Sequence, residues 1–308
     1  MARKNADVST TQVASGAMDE PLAISAPFAR ELATVCCTDA AADRSCEPYH
    51  GFWQYMRLMG LGKTLSGQSA WYLAELERLA REWARRPAAN PARILISGCA
   101  DYSLLAHVLQ ARGSENVPVE ITALDVCRTP LLLNQWYARR AGHALGVVCS
   151  DILQHHAADT YDLIVTSSFL GYFHPEVRPR LLLGYAAMLR AGGRLIIVNR
   201  LRDGAEGEAV GFSLRQVERF AARAAQLSAT LPASASLTPD DAFRMARAYA
   251  GFFRSYPLNA EASVRRLAGG CGLRWADGGR LPSARLQAGV DGPTVSDGAD
   301  YLIAVLEK

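Results

Sequence analysis

Four short groups of residues each follow an apolar run and could bind or position a ligand. They are Ser97-Gly98-Cys99-Ala100-Asp101, Asp125-Val126, Ser150-Asp151-Ile152 and Ser167-Ser168-Phe169. Small residues at Gly98 and Ala100 let the backbone turn sharply and let a ligand approach the main chain. An ordinary strand-to-helix turn would use the same residues. Asp125, one unit downstream, is placed to accept both hydroxyls of a ribose, the role an acid takes at this point of many nucleotide sites; capping of the following helix is the alternative. Asp151 and the backbone of Ile152 suit an adenine amine and ring nitrogen, and a solvated loop acid would look the same. Taken together, the groups point to an adenosine-type ligand.

A second set of residues is aromatic and basic. Tyr49, His50, Trp53, Tyr55 and Arg57 cluster in one short stretch, and Arg244, Arg247, Tyr249, Phe252, Phe253, Arg254 and Tyr256 form another. Such residues stack on planar molecules and bind anions through charge-assisted hydrogen bonds, although stripes of this kind more often build a core. Tyr172 and Arg200 join them as candidate acceptor contacts. His174, after the fourth strand, is the first candidate general base and His50 the second. His174-Pro175-Glu176 also reads as a plain helix start. His155-His156 lack a third ligand at metal spacing, so no metal site is expected.

The elements that must hold these groups alternate regularly. Strands are expected at 93–97, 119–124, 145–149, 161–166, 194–199, 273–275 and 300–306, and helices at 104–110, 130–141, 176–189 and 260–269. Alternation of this kind builds βαβ units with right-handed crossovers. The expected fold is a doubly wound α/β, seven-stranded, mostly parallel sheet whose ligands lie beyond the carboxyl ends of the strands. Residues 1–40 show no sustained period and are expected to form a loose arm, and 41–90 a helical cap. Residues 91–308 form the main domain, with a helical lid inserted at about 201–260 from helices 214–227 and 239–254.

In sequence the chain resembles the class I S-adenosylmethionine-dependent methyltransferases over about residues 91–200. Asp162-Leu163-Ile164-Val165 before Phe169-Leu170-Gly171-Tyr172-Phe173, then Leu189-Arg190-Ala191-Gly192-Gly193-Arg194-Leu195, carry the likeness. The resemblance implies S-adenosyl-L-methionine as cofactor and S-adenosyl-L-homocysteine as product. It places the methionine portion by Gly98 to Asp101, the ribose by Asp125 and Val126, the adenine by Asp151 and Ile152, and the cofactor's centre by Ser168 and Phe169. It also implies an antiparallel closing hairpin at Trp275 and 301–306. The chain departs from the pattern at Ile96, where the family has an acid, and at Ala100 and Tyr102, where it has glycines. Asp101 is the nearest acid that could replace the missing one.

Composition narrows the alternatives. The 308 residues are half hydrophobic with a formal charge of +3, without the basic stripe that nucleic-acid binding demands. No G-x-x-x-x-G-K-[ST] is present, and Ala100 and Tyr102 would obstruct a dinucleotide pyrophosphate. Seven cysteines without a C-x-x-C pair suggest a reducing cytoplasm, and no long apolar segment suggests a membrane span. The expected partner is a small-molecule acceptor of secondary-metabolite type, smallness being favoured by the enclosing cap and lid, and a homodimer is compatible with the sequence.

Overall fold

The computed structural model describes residues 16–37, 45–61, 66–115, 117–202, 205–282 and 300–308. Three helices come first: α1 (Gly16–Cys36), α2 (Glu47–Leu58) and α3 (Ser66–Trp83). The alternating unit follows as β1 (Ala92–Ser97), α4 (Ser103–Glu115), β2 (Val119–Asp125), α5 (Arg128–Arg140), β3 (Gly146–Cys149), β4 (Tyr161–Ser167), α6 (Arg178–Met188) and β5 (Leu189–Arg200). Then come α7 (Leu214–Leu227), α8 (Pro239–Phe252), α9 (Glu261–Gly270), β6 (Arg274–Pro282) and β7 (Asp300–Glu307). The seven strands form one sheet in the order β3-β2-β1-β4-β5-β7-β6. β1 to β5 are parallel, while β7 runs antiparallel between β5 and β6.

Strand side chains alternate between two cores, as the two-residue period of a pleated sheet requires. Ile94, Ile96, Val165, Ile196 and Val198 face α3 and α4, whereas Leu95, Ile164, Leu195 and Ile197 face α6 and α9. Central strands buried on both faces explain the near-continuous apolar runs in the sequence. The closing strand β6 is longer than the expected 273–275, because Ala276-Asp277-Gly278-Gly279-Arg280 has no apolar pattern. Gly278 reconciles that segment with pairing: its φ is +128°, and a Cβ there would lie 2.2 Å from the Ile303 carbonyl oxygen. β5 starts at Leu189, before the expected 194, and Gly192-Gly193 sit in a bulge inside it, since Tyr161 faces Leu189 while Leu163 faces Arg194.

The N-terminal region differs most from the sequence reading. Residues 16–36, expected to be loose, form α1, whose packing surface consists of Ala26, Ala29 and Ala33 with Leu22. Small residues bury little area each but let helices approach closely, so the hydrophobic pattern is faint. Residues 1–15 lie outside the described residues, as does the Gly- and Ser-rich connection 283–299. The 41–90 cap also divides. α3 joins the sheet's own layer through Tyr72, Leu76, Leu79 and Trp83, while α2 shares a separate core with the inserted α7 and α8. Phe52, Tyr55 and Met56 of α2 pack there with Phe220, Ala246 and Tyr249, so cap and lid form one helical layer. No described helix is long and apolar enough to cross a membrane.

Candidate active site

The carboxyl ends of β1 to β4 and the helical layer enclose a cavity of about 500 Å³. Gly98, Cys99, Ala100, Asp101, Asp125, Val126, Asp151, Ile152, Ser168 and Phe169 all line it. The topology therefore brings together every residue that the sequence reading assigned to the cofactor.

The elbow after β1 is tightly constrained. Gly98 has φ +68°, and a Cβ on it would lie 2.3 Å from the Phe169 ring, so only glycine allows that ring to close over the turn. Asp125 ties the elbow to β2. Its Oδ2 accepts from the Cys99 amide at 2.9 Å and its Oδ1 from the Cys127 amide at 2.8 Å. Each oxygen keeps an acceptor direction for a ligand hydroxyl. Burial pushes the carboxyl up to about 6, against the lowering influence of His50 and the two amides. Beside it Val126 is 72% exposed, and with the buried Ile152 it leaves apolar surface that a flat ring would cover. Asp151 turns its Oδ1 to the Leu153 amide at 2.9 Å. Ser168 has φ +53° and donates its amide to the Val198 carbonyl at 2.7 Å, a strained conformation of the kind found at ligand sites.

Asp101 has a different employment from the one expected. Its Oδ1 accepts from the Ser103 amide at 2.9 Å and the Ser103 hydroxyl, and its Oδ2 from Trp53 Nε1 at 3.2 Å and the Arg57 guanidinium. A carboxylate has about four acceptor directions, and here all are filled from within the chain. Burial raises its pKa, but Arg57 and Ser103 outweigh burial and hold the carboxyl below its ordinary value. Asp101 thus docks α2 onto the elbow and has no direction left for a cofactor ammonium, which corrects the compensating role expected for it. Tyr102, at a family glycine position, is a second dock. Its hydroxyl lies 2.9 Å from Ser25 Oγ of α1, and Ser25 in turn donates to Gln54 Oε1 of α2 at 2.8 Å. Its ring stacks on Tyr137 at 4.5 Å.

The cavity's other wall is aromatic. Tyr49, Trp53, Tyr172 and Arg254 line it. Tyr49 stacks on Trp53 at 5.3 Å and on Tyr249 at 5.7 Å, and meets Tyr172 edge-on at 6.2 Å. Four other expected acceptor residues stand behind this wall. Tyr55 and Tyr249 are buried in the helical core, Arg57 is spent on Asp101 and Ser103, and Arg200 ends β5 opposite Tyr301. Among the candidate bases, His174 does not line the cavity: it packs edge-on against Tyr256 at 5.2 Å beside Glu176. His50 does line it, and is buried.

His50 also belongs to a group that the sequence reading missed. Cys37, Cys46, His50 and Cys127 place their ligand atoms within 4.8 Å of one another. They come from the end of α1, the start of α2 and the β2–α5 junction. The only local signal was Cys46-x-x-x-His50, two ligand types four residues apart at a helix start.

No protein-family model matches the sequence, and no curated relative does. Among solved structures the chain is similar to the Burkholderia thailandensis 1,6-didemethyltoxoflavin-N1-methyltransferase with bound 1,6-didemethyltoxoflavin and S-adenosylhomocysteine. The identity is 17%, over 88% of this chain and 93% of that one, with a TM-score of 0.45. It is also similar to magnesium protoporphyrin IX methyltransferase from Synechocystis with bound S-adenosylhomocysteine, at 13% identity over 84% and 94% and a TM-score of 0.49. The N-methyltransferase NodS from Bradyrhizobium japonicum gives 17% identity over 81% and 96%, with a TM-score of 0.42. The observed sheet, in the order 3-2-1-4-5-7-6 with β7 antiparallel between β5 and β6, is the expected seven-stranded, mostly parallel α/β arrangement with an antiparallel closing hairpin.

Proposed function

We propose that this chain binds S-adenosyl-L-methionine and transfers its methyl group to an O or N atom of a small, planar acceptor. The observation that carries the reading is the shared cavity: strand-end residues of adenosine-binding type form one wall, and the aromatic residues of α2 and the Phe169–Tyr172 loop form the other. In that arrangement Asp125 accepts from the ribose hydroxyls. Val126 and Ile152 cover the adenine faces, and Asp151 meets its edge. Gly98 to Ala100 border the methionine portion.

The bound cofactor supplies an electrophilic methyl group on a sulfonium. Displacement there is in line, so the chain's task is to align the acceptor atom and exclude water. Tyr49 and Trp53 provide flat surfaces that restrict an aromatic acceptor to a few orientations, and Arg254 is the one guanidinium among the described lining residues, suited to an anionic or carbonyl edge. The joined cap and lid enclose the site, which favours a small acceptor over a macromolecule.

A second reading has a specific observation behind it. Ile96 lies in the apolar core where the resembling family has an acid, and Asp101 is fully engaged. A methionine portion held without those acids suits transfer of a different alkyl group from the same cofactor or a derivative. Calorimetric titration with S-adenosyl-L-homocysteine tests the binding site, and absence of binding at millimolar ligand would refute both readings. Mass spectrometry of the product separates them, since any gain other than one methyl excludes methyl transfer.

A further inference from the structure

We propose that Cys37, Cys46, His50 and Cys127 form a structural zinc site that locks the helical layer onto the cofactor cavity. The inference is independent of which reaction the cavity performs.

Four ligand atoms of metal-binding type converge on one point. Cys37 Sγ lies 3.4 Å from His50 Nδ1 and 3.5 Å from Cys127 Sγ, and all four ligand atoms fall within 4.8 Å of one another. Tetrahedral zinc, with bonds of about 2.3 Å to sulfur and about 2.0 Å to nitrogen, needs S···S edges of about 3.8 Å and S···N edges of about 3.5 Å. The two measured edges agree to within a few tenths of an ångström. A disulfide is a poorer account. Three thiols converge on one centre, all are free, and the 3.5 Å separation is far beyond the ~2.05 Å of an S–S bond. Neighbouring groups suit thiolates as well. Thr129 Oγ1 lies 3.2 Å from Cys37 Sγ, where its hydroxyl can donate, and Cys127 occupies the N-cap of α5, where helix amides favour negative charge.

The chemistry of the set selects the metal. Three thiolates and an imidazole are soft-to-borderline ligands, which favour zinc over magnesium or calcium. Four protein ligands fill a tetrahedral shell, leaving no position for water, as in structural sites. Binding releases three thiol protons, and the complex keeps one net negative charge.

The site's position gives it a purpose. Cys37 directly follows α1, Cys46 caps α2 and His50 lies in its first turn, and Cys127 follows Asp125 by two residues. One ion therefore joins both cap helices to the strand end that carries the ribose-binding carboxylate. His50, considered above as a base, becomes a ligand.

The test begins with full-length chain purified without chelators. Metal analysis is expected to find about one zinc per chain. Reconstitution of metal-free protein with cobalt(II) alone is expected to give sulfur-to-cobalt charge transfer and the intense visible bands of tetrahedral thiolate coordination. Cys46→Ser and Cys127→Ser are expected to lower zinc content at least tenfold. Should a variant fail to fold, the wild-type cobalt spectrum still decides. A folded wild-type chain, shown by a cooperative near-ultraviolet melt, that holds no stoichiometric metal and gives no tetrahedral cobalt spectrum would overturn the proposal. So would a Cys37–Cys127 disulfide found in freshly purified protein by mass mapping. None of these readouts requires methyl transfer.

Discussion

The Asp125 carboxylate makes cofactor binding a function of pH, and the size of the effect follows from its surroundings. In the chain free of cofactor and metal, burial pushes its carboxyl up to about 6, with His50 and the Cys99 and Cys127 amides opposing. Ribose hydroxyls donate to the ionised form, so a bound adenosine favours the carboxylate and lowers its pKa. The sign is then fixed: affinity is full above about pH 6 and is lost as pH falls through it. Near pH 7 about nine-tenths of the free chain is ionised, and near pH 5 about one-tenth, so the Kd rises about tenfold across that interval. Asp125→Asn keeps the shape and one acceptor but cannot ionise. It is expected to weaken binding about 10- to 100-fold at pH 7, the ~1.5 to 3 kcal/mol of hydrogen bonds to a charged acceptor, and to flatten the pH dependence. Calorimetry with S-adenosyl-L-homocysteine at several pH values measures both, with circular dichroism confirming that the chain stays folded. A wild-type Kd constant from pH 7 to 5, or a variant with an unchanged slope, would refute the placement of the ribose at Asp125.

Three further perturbations probe the supports of the site. Gly98→Ala must hold a positive φ, at a cost of about 1 to 2 kcal/mol, and displace the Phe169 ring. Cofactor affinity is expected to fall more than tenfold, with partial recovery in Gly98→Ala/Phe169→Leu, and an unchanged Kd would mean that the elbow is not shaped by that contact. Arg57→Met leaves a buried carboxylate without its counter-charge and is expected to cost about 3 to 5 kcal/mol in urea unfolding; Arg57→Met/Asp101→Asn should cost less, and additive losses would deny the coupling. Since Asp101 is held below its ordinary pKa, its contribution in the wild type is full above about pH 4 and is lost as pH falls through the lowered value. Trp53→Leu removes one flat surface from the cavity, so the acceptor KM is expected to rise severalfold. Affinity for S-adenosyl-L-homocysteine should change less than threefold, about 0.6 kcal/mol, and the reverse pattern would assign Trp53 to the cofactor.

What could be read from sequence follows the physics of each element. The parallel strands were legible because burial on both faces demands unbroken apolar runs, as in Arg93-Ile94-Leu95-Ile96. Asp125 and Asp151 were legible because they fall within two residues of the end of such a run, and Asp101 because it closes the turn after one. Helix α1 was not, since Ala26, Ala29 and Ala33 pack by closeness and leave a weak pattern. The extent of β6 was hidden because pairing with β7, rather than side-chain period, makes Asp277-Gly278-Gly279 a strand. The cysteine cluster was invisible for a topological reason: its members are 13 and 90 residues apart at the Cys37–His50 and Cys37–Cys127 contacts, and only the docking of α1 and α2 brings them together.

That docking also accounts for the elbow's departures from the pattern it resembles. A glycine at 102 would permit the turn but offer nothing to α1; Tyr102 reaches Ser25, and through it Gln54, while stacking on Tyr137. An acid at 101 need not hold a ligand when its four acceptor directions receive Trp53, Arg57 and Ser103. Tyr102 and Asp101 both turn the elbow outward toward the cap, and Cys127 does the same two residues after Asp125. The cap is therefore attached at the ends of β1 and β2, next to the residues proposed to hold the methionine portion and the ribose. A cap that moved as a rigid lid would break a buried ion pair and a tyrosine–serine–glutamine chain at each opening. Ligand entry is easier past Tyr172 and the α8 end near Arg254, where Tyr172 is 44% exposed and the lining comes from loops. Hydrogen exchange should accordingly show faster opening at Gly171 to Phe173 than at Trp53 to Arg57, and equal protection of the two segments would count against a fixed cap.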